Sequence, residues 1–237
     1  MKNKPTVLII GGTSGIGASA VIRFSHDHEV IFIGRNKIMG KKVAKLYNAL
    51  FIKCDISKKD ECTSLVKDLQ KYNITKVVHC AGIYSTKTSA EYCKKYSEVK
   101  LNGVKIILSL LAQKPITHIC AISSLYTFLP EPFAPAFEKS INKKLEEEII
   151  SLKDIAFANC VAPGLTDTPL ARKAYGKKGF INILDHAPGS RILQPIEIAE
   201  SIHWLSNQNI ITGLVIPIDG GYIQSYFENN NVLQPRK

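Results

Sequence analysis

The sequence lacks what would place it in a bilayer, a disulfide scaffold or a metal site. No apolar run approaches the roughly 18 residues that a membrane-spanning helix needs. The opening MKNKPTVLIIGG has a basic end and a short apolar run, as a secretion signal does. That run passes straight into glycines without a small-residue cleavage site, so it reads as a first strand and a cytoplasmic location is expected. The six cysteines (54, 62, 80, 93, 120 and 160) contain no C-x-x-C pair. Cys54, Cys80, Cys120 and Cys160 fall in apolar, strand-like runs, where a thiol behaves as a small hydrophobe, so reduced thiols are expected. The six histidines are scattered. His26 and His28 read as a solvated turn, and no metal ligand set is expected. A G-x-S-x-G elbow and paired acid/base carboxylates are also missing. Acidic residues are few, 20 against 31 basic, for a net charge of +11. The lysines are dispersed in pairs (Lys41-Lys42, Lys58-Lys59, Lys94-Lys95, Lys143-Lys144, Lys177-Lys178). Dispersed pairs suit a solvated surface better than a nucleic-acid stripe, though they can attract a polyanionic small molecule.

What is present is a regular alternation. Short apolar runs rich in β-branched residues occur at 6–11, 29–34, 49–54, 76–81, 118–123, 155–161 and 214–218. Nearly continuous hydrophobicity is the pattern of parallel strands covered on both faces. Helical segments are expected between them at 15–26, 37–47, 59–72, 88–113, 136–152 and 195–207. The alternation predicts one α/β domain, a Rossmann-type doubly wound sheet of seven parallel strands, over residues 1–223. Residues 224–237 read as a polar tail that frays or docks on a neighbouring subunit.

Between the first strand and first helix lies GGTSGIG, residues 11–17. In this position Gly11 permits a tight turn, Gly15 lets the backbone approach a pyrophosphate, and Gly17 lets helix and strand pack closely. Thr13, Ser14 and Ile16 complete the loop, and the helix start offers amides and a positive dipole end to phosphates. The second strand ends Gly34-Arg35-Asn36. An NAD site places a carboxylate there for the ribose; Arg35 instead can pair with a 2′-phosphate, which favours NADP. The alternative is a surface arginine stacked on adenine. Asp55, after the third strand, reads as an adenine contact or as a helix cap.

These residues resemble the short-chain dehydrogenase/reductase family from about residue 5 to 223. The family's Gly-x-x-x-Gly-x-Gly falls on Gly11, Gly15 and Gly17, and its Asn-Asn-Ala-Gly appears as HCAG (79–82), keeping Ala81 and Gly82. Its Pro-Gly-x-x-x-Thr matches Pro163, Gly164 and Thr168, and ITGLVIPIDGG (211–221) is similar to its closing strand and turn. The resemblance implies a small-molecule substrate, a nicotinamide cofactor, a mobile lid over 165–191 that includes His186, and a homo-oligomer. A dimer or tetramer would assemble through the helices at 88–113 and 136–152.

It also implies an Asn–Ser–Tyr–Lys tetrad, in which the tyrosine exchanges a proton with the substrate oxygen. Here Ser124 takes the serine position. Thirteen residues on, the family's usual spacing, the tyrosine position holds Phe137; Ile141 stands for the lysine and Lys100 for the asparagine. Tyr-x-x-x-Lys does recur at Tyr72…Lys76 and Tyr96…Lys100, the second with its lysine expected toward the cleft. Lys100 could extend into the space left by the family lysine, with Tyr84 or Tyr126 supplying a phenol. Otherwise Lys100 is solvated and the tyrosines merely line a pocket. Two readings follow: an NADP(H)-binding oxidoreductase homologue with altered chemistry, or a non-catalytic dinucleotide-binding protein.

Overall fold

The computed structural model describes residues 4–84, 88–130, 136–174 and 191–229. Seven strands form one parallel sheet: β1 (Thr6–Ile10), β2 (Glu29–Gly34), β3 (Leu50–Lys53), β4 (Ile74–His79), β5 (His118–Ile122), β6 (Phe157–Pro163) and β7 (Val215–Ile218). Their order is β3-β2-β1-β4-β5-β6-β7, and the direction of winding reverses between β1 and β4. There Ile10 is paired with Ile33 on one side and His79 on the other. Loops leaving the carboxyl ends of these strands open a crevice at the reversal, the place where such sheets bind ligands.

The helices are α1 (Gly15–Phe24), α2 (Lys37–Tyr47), α3 (Lys59–Leu69), α4 (Ala90–Leu111), α5 (Ala136–Ile150), a turn of helix over 169–174 (α6), α7 (Pro195–Leu205) and α8 (Tyr222–Asn229). β1 and β5 are buried at every position. Alternate residues of these strands feed two cores. Leu8, Ile10, Val77 and Ile119 meet α4 and α5, while Val7, Ile9, Val78 and Cys120 meet α1 and α7. Among the described residues no helix is long and apolar enough to cross a membrane.

The pattern-based elements hold, with shifts at their ends. α3 stops at Leu69 because Gln70 and Tyr72 turn back onto Lys67 and Leu69. β6 begins two residues later than its apolar run, since Ile155 sits exposed in a turn bonded to Leu152. Cys54 and Cys80 lie just past β3 and β4 rather than inside them. The expected polar tail starts with a helix: the Asp219 carboxylate accepts from the amides of Gly221 and Ile223 at 2.9 and 2.8 Å and starts α8. Residues 230–237 lie outside the described residues.

One expectation holds for His26, which is exposed, and fails for His28. His28 is buried, not solvated, edge-on to Phe24 and His203. Its Nδ1 and the Nε2 of His203 converge on the two oxygens of Asp27 at 2.7 and 2.8 Å. The polar look of His-Asp-His hid a side chain that fills the space between α1 and α7.

Candidate active site

The glycine loop is shaped by its own backbone. The amides of Gly11 and Gly12 both donate to the Ile33 carbonyl at 3.0 Å, turning the chain across the end of β2. Gly15 holds φ +54°, a left-handed conformation that side chains resist. A Cβ on Gly17 would stand 2.1 Å from the Gly11 carbonyl oxygen, so α1 can start this close to β1 only on glycine. Ser14 precedes α1 in an extended conformation and makes no side-chain cap bond. The first amides of α1 are therefore left for a ligand.

Ser14, Gly15 and Ile16 line a cavity of about 480 Å³. Gly11, Thr13, Gly17, Arg35, Asp55, Ala81, Gly82, Pro163, Gly164 and Thr168 line it too, so the crevice gathers every residue assigned to the cofactor from sequence. At its outer end Arg35 is exposed. Burial works against the Asp55 charge, but Ser57 donates to it from both amide and hydroxyl, at 3.1 and 2.8 Å. With the nearby charges of Arg35 and Lys95, these bonds hold the carboxyl below its usual range. Asp55 thus shapes its turn and faces the cavity at once. Thr168 caps α6 by accepting from the Ala171 amide at 3.0 Å, and packs against Gly15. Of the expected lid, residues 175–190, with His186, lie outside the described residues.

The inner end carries the reactive groups. Ser124 lines the cavity beyond β5, its Oγ accepting from the Tyr126 amide at 3.2 Å. Tyr84 and Tyr126 line it as well, and the Tyr84 hydroxyl donates to the Ala174 carbonyl at 3.4 Å. Lys100 is buried rather than solvated, and its Nζ donates to the Ile122 carbonyl at 2.8 Å. Burial pulls the ammonium down to about 8, against the opposing influence of Cys160, Cys80, Glu138 and Glu146. Behind it, burial and the Lys100 charge depress His79 to about 4, so its imidazole is neutral at pH 7. The Nε2 must then donate to the Lys100 carbonyl, 2.9 Å away.

The two positions that sequence spacing matched to the family's tyrosine and lysine do not line the cavity. Phe137 lies between α4 and α5, its ring edge-on to Tyr92 and Tyr96 at 5.7 and 5.6 Å between centroids. Neither it nor Ile141 is among the cavity residues; Glu138 is. Counting from Ser124 is therefore one position out of register with the face α5 presents. That face carries Glu138, Asn142, Leu145, Glu146 and Ile149, all buried. Its polar members pair with one face of α4. The Tyr92 hydroxyl donates to Glu138 Oε1 at 3.0 Å, and Asn142 Nδ2 donates to the Tyr96 hydroxyl at 2.8 Å. Tyr96 and Lys100 both reach the cavity, so the Tyr-x-x-x-Lys pair on α4 does point into the cleft. Burial raises the Tyr96 phenol far above its usual value, which leaves it a weak proton donor. Burial also raises the Glu138 carboxyl, with Tyr92 and Lys100 pulling the other way. Glu138, Tyr92 and Asn142 went unassigned in the sequence. Their signal was the matched spacing of Tyr92, Tyr96 and Lys100 with Glu138, Asn142 and Glu146, each set at intervals of four.

Comparison with known proteins agrees with this architecture. A family model described as short chain dehydrogenase matches residues 5–179, and one described as enoyl-(acyl carrier protein) reductase matches residues 154–223. Carbonyl reductase family member 4 of Xenopus laevis is 28% identical over 90% of this chain and 95% of its own length. Among solved structures, a mutant of a Serratia marcescens short-chain dehydrogenase/reductase superposes with a TM-score of 0.83. It shows 21% identity and covers 93% of this chain and 98% of that one. BdcA in complex with NADPH superposes with a TM-score of 0.81 at 22% identity, covering 92% and 94%. The chain belongs to the short chain dehydrogenase family, oxidoreductases that bind a nicotinamide cofactor.

Proposed function

We propose that this chain is an NADP(H)-dependent oxidoreductase for a small carbonyl or alcohol substrate, with acid–base chemistry that does not use a tyrosine at position 137. One observation carries the reading: a single cavity joins the glycine loop and Arg35 at one end to Ser124, Lys100 and Glu138 at the other. The residues present fit a dinucleotide. The uncapped start of α1 suits a pyrophosphate, and a Cβ on Gly82 would meet nothing within 4 Å, leaving room beside the loop after β4. Arg35, with no carboxylate at the end of β2, suits a 2′-phosphate, and the NADPH complex of the similarly folded BdcA supports that choice.

When bound, the cofactor would supply or accept a hydride at the substrate carbon. The chain's part is to place that carbon and manage the proton. Ser124 holds the substrate oxygen, and Ile83, Leu125, Leu129 and Leu165 on the cavity wall exclude water. The buried Lys100 ammonium stabilises negative charge on oxygen. A non-catalytic dinucleotide-binding role is the second reading, favoured by one contact: Lys100 is tied to a backbone carbonyl. In either reading residues 1–223 act as the dinucleotide unit, and copies would associate through α4 and α5.

Fluorescence titration tests the cofactor assignment. NADPH should bind more tightly than NADH. Arg35→Ala should weaken NADPH by roughly 10- to 100-fold, since a bond to a charged group is worth about 1.5–3 kcal/mol, and leave NADH nearly unchanged. Tighter NADH binding, or an Arg35→Ala variant with unaltered preference, would overturn it.

A further inference from the structure

A short chain dehydrogenase needs a group that passes a proton to or from the substrate oxygen, and position 137 supplies none. Among the described residues at the inner end of the cavity, Ser124, Tyr84, Tyr96, Tyr126, Lys100 and Glu138 can carry a proton. Tyr84 and Lys100 are engaged with the Ala174 and Ile122 carbonyls, and Tyr126 stands on the turn after Ser124 rather than on α5. Among the described residues no base is bonded to Ser124, and a hydroxyl without one is a poor acid. The Tyr96 hydroxyl is engaged with Asn142 and is buried to 6% exposure. Glu138 stands one position along from Phe137 on α5, lines the cavity, and is 7% exposed. We propose that Glu138 is the group that exchanges the proton with the substrate oxygen, with Tyr92 and Lys100 as its positioning residues. The proposal rests on the oxidoreductase reading above.

The geometry supports a carboxyl that changes charge during the reaction. Tyr92 donates to Oε1 at 3.0 Å, which fixes the rotamer and stabilises the carboxylate. Lys100, across the same cavity, feels the Glu138 charge and lies on the same face of α4 as Tyr92. Tyr96, between them, also feels that charge. Among the described residues Tyr92 and Lys100 act on the Glu138 carboxyl, and Glu138 in turn raises Tyr96. Burial keeps the carboxyl protonated to higher pH than an exposed glutamate, the direction a proton donor requires.

The step balances simply. In reduction the carbonyl carbon gains a hydride, two electrons and a proton, from a reduced nicotinamide. The π pair moves onto oxygen, which takes the proton from the Glu138 O–H. The products are an alcohol, an oxidised nicotinamide, and a Glu138 carboxylate facing the Tyr92 hydroxyl and the Lys100 ammonium. Oxidation runs the same transfers in reverse.

Three readouts on the full chain test this. Infrared difference spectra of the cofactor-free protein, wild type minus Glu138→Gln, followed across pH, should show a protonated-carboxyl band that persists to higher pH than an exposed glutamate's and shifts in Tyr92→Phe. With NADPH and either benzaldehyde or ethyl acetoacetate, Glu138→Gln should lower kcat by about 100-fold or more. NADPH affinity should stay within about a factor of two, the split expected for a group that acts only on the proton. Glu138→Asp, which keeps a carboxyl, should retain part of the activity, and Lys100→Gln should displace the pH profile. The proposal is overturned if the Glu138 band titrates like an exposed glutamate's, if Glu138→Gln turns over like wild type, or if NADPH-loaded wild type reduces neither probe. Failure of wild type to bind NADPH overturns the parent reading as well; unaffected turnover in Glu138→Gln with NADPH bound overturns this one alone.

Discussion

Lys100 shows how one side chain can be read correctly for place and wrongly for environment. The motif put it at the cleft, and it lines the cavity. Its environment came from packing that the motif could not express: β4, β5 and α5 enclose it, and the Ile122 carbonyl takes one of its protons. An ammonium held at about 8 when its usual value is 10.5 leaves a signature in stability. Below about pH 8 both folded and unfolded chains carry the charge, and its burial costs stability throughout. Between about 8 and 10.5 the unfolded chain holds the proton and the folded one does not, so deprotonation favours the fold and stability rises with pH. Lys100→Met removes the titrating group. The wild-type-minus-variant difference in unfolding free energy, measured by denaturant melts across that window, should rise with pH. A flat difference would mean that Lys100 is not buried as a cation.

At the level of elements, most of the architecture was written in the chain. Each strand appeared as an apolar run and each long helix as the segment between two runs, with ends displaced by turns such as the one after Leu69. The glycine-loop end of the cavity was legible for the same reason: glycine turns and a helix start are linked by backbone geometry, and sequence spacing records backbone geometry. The reaction end was not, because it depends on which face α5 turns inward. Phe137, Ile141, Leu145 and Ile149 make an apolar stripe at intervals of four, and hydropathy alone assigns that stripe to the core. In the fold only its second half is fully buried; the first half gives way to Glu138, Asn142 and Glu146, which face the tyrosines and hydroxyls of α4 and the loop after β5. Each of these side chains has a partner, Asn142 through its Nδ2 alone since its Oδ1 has none, and hydropathy has no term for partners. The register yields a sharp prediction. Restoring the family residues with Phe137→Tyr and Ile141→Lys should not raise NADPH-dependent turnover, because the new hydroxyl would sit against Tyr92 and Tyr96. Assayed against wild type on the same carbonyl probes, a gain of tenfold or more would show that α5 presents position 137 to the cleft after all.

For the whole molecule, the net charge of +11 acts on kinetics rather than on the fold. Lys41, Lys42, Lys58, Lys59, Lys94, Lys95, Lys143 and Lys144 are all exposed and spread over several helices. Arg35 lines the cavity, and Lys95 acts with it on the Asp55 carboxyl. Distant lysines and these two should separate with salt, because screening at physiological ionic strength reaches only about 8 Å. At low ionic strength the whole positive surface should draw NADPH in, and stopped-flow association should be several-fold faster than at about 0.3 M salt. The residual rate at high salt should depend on Arg35 and fall further in Arg35→Ala, while the low-salt acceleration persists in that variant. NADH, with less negative charge, should show a shallower salt slope. An association rate independent of salt would mean that the basic surface has no part in capture, and that affinity is set only by contacts inside the cleft.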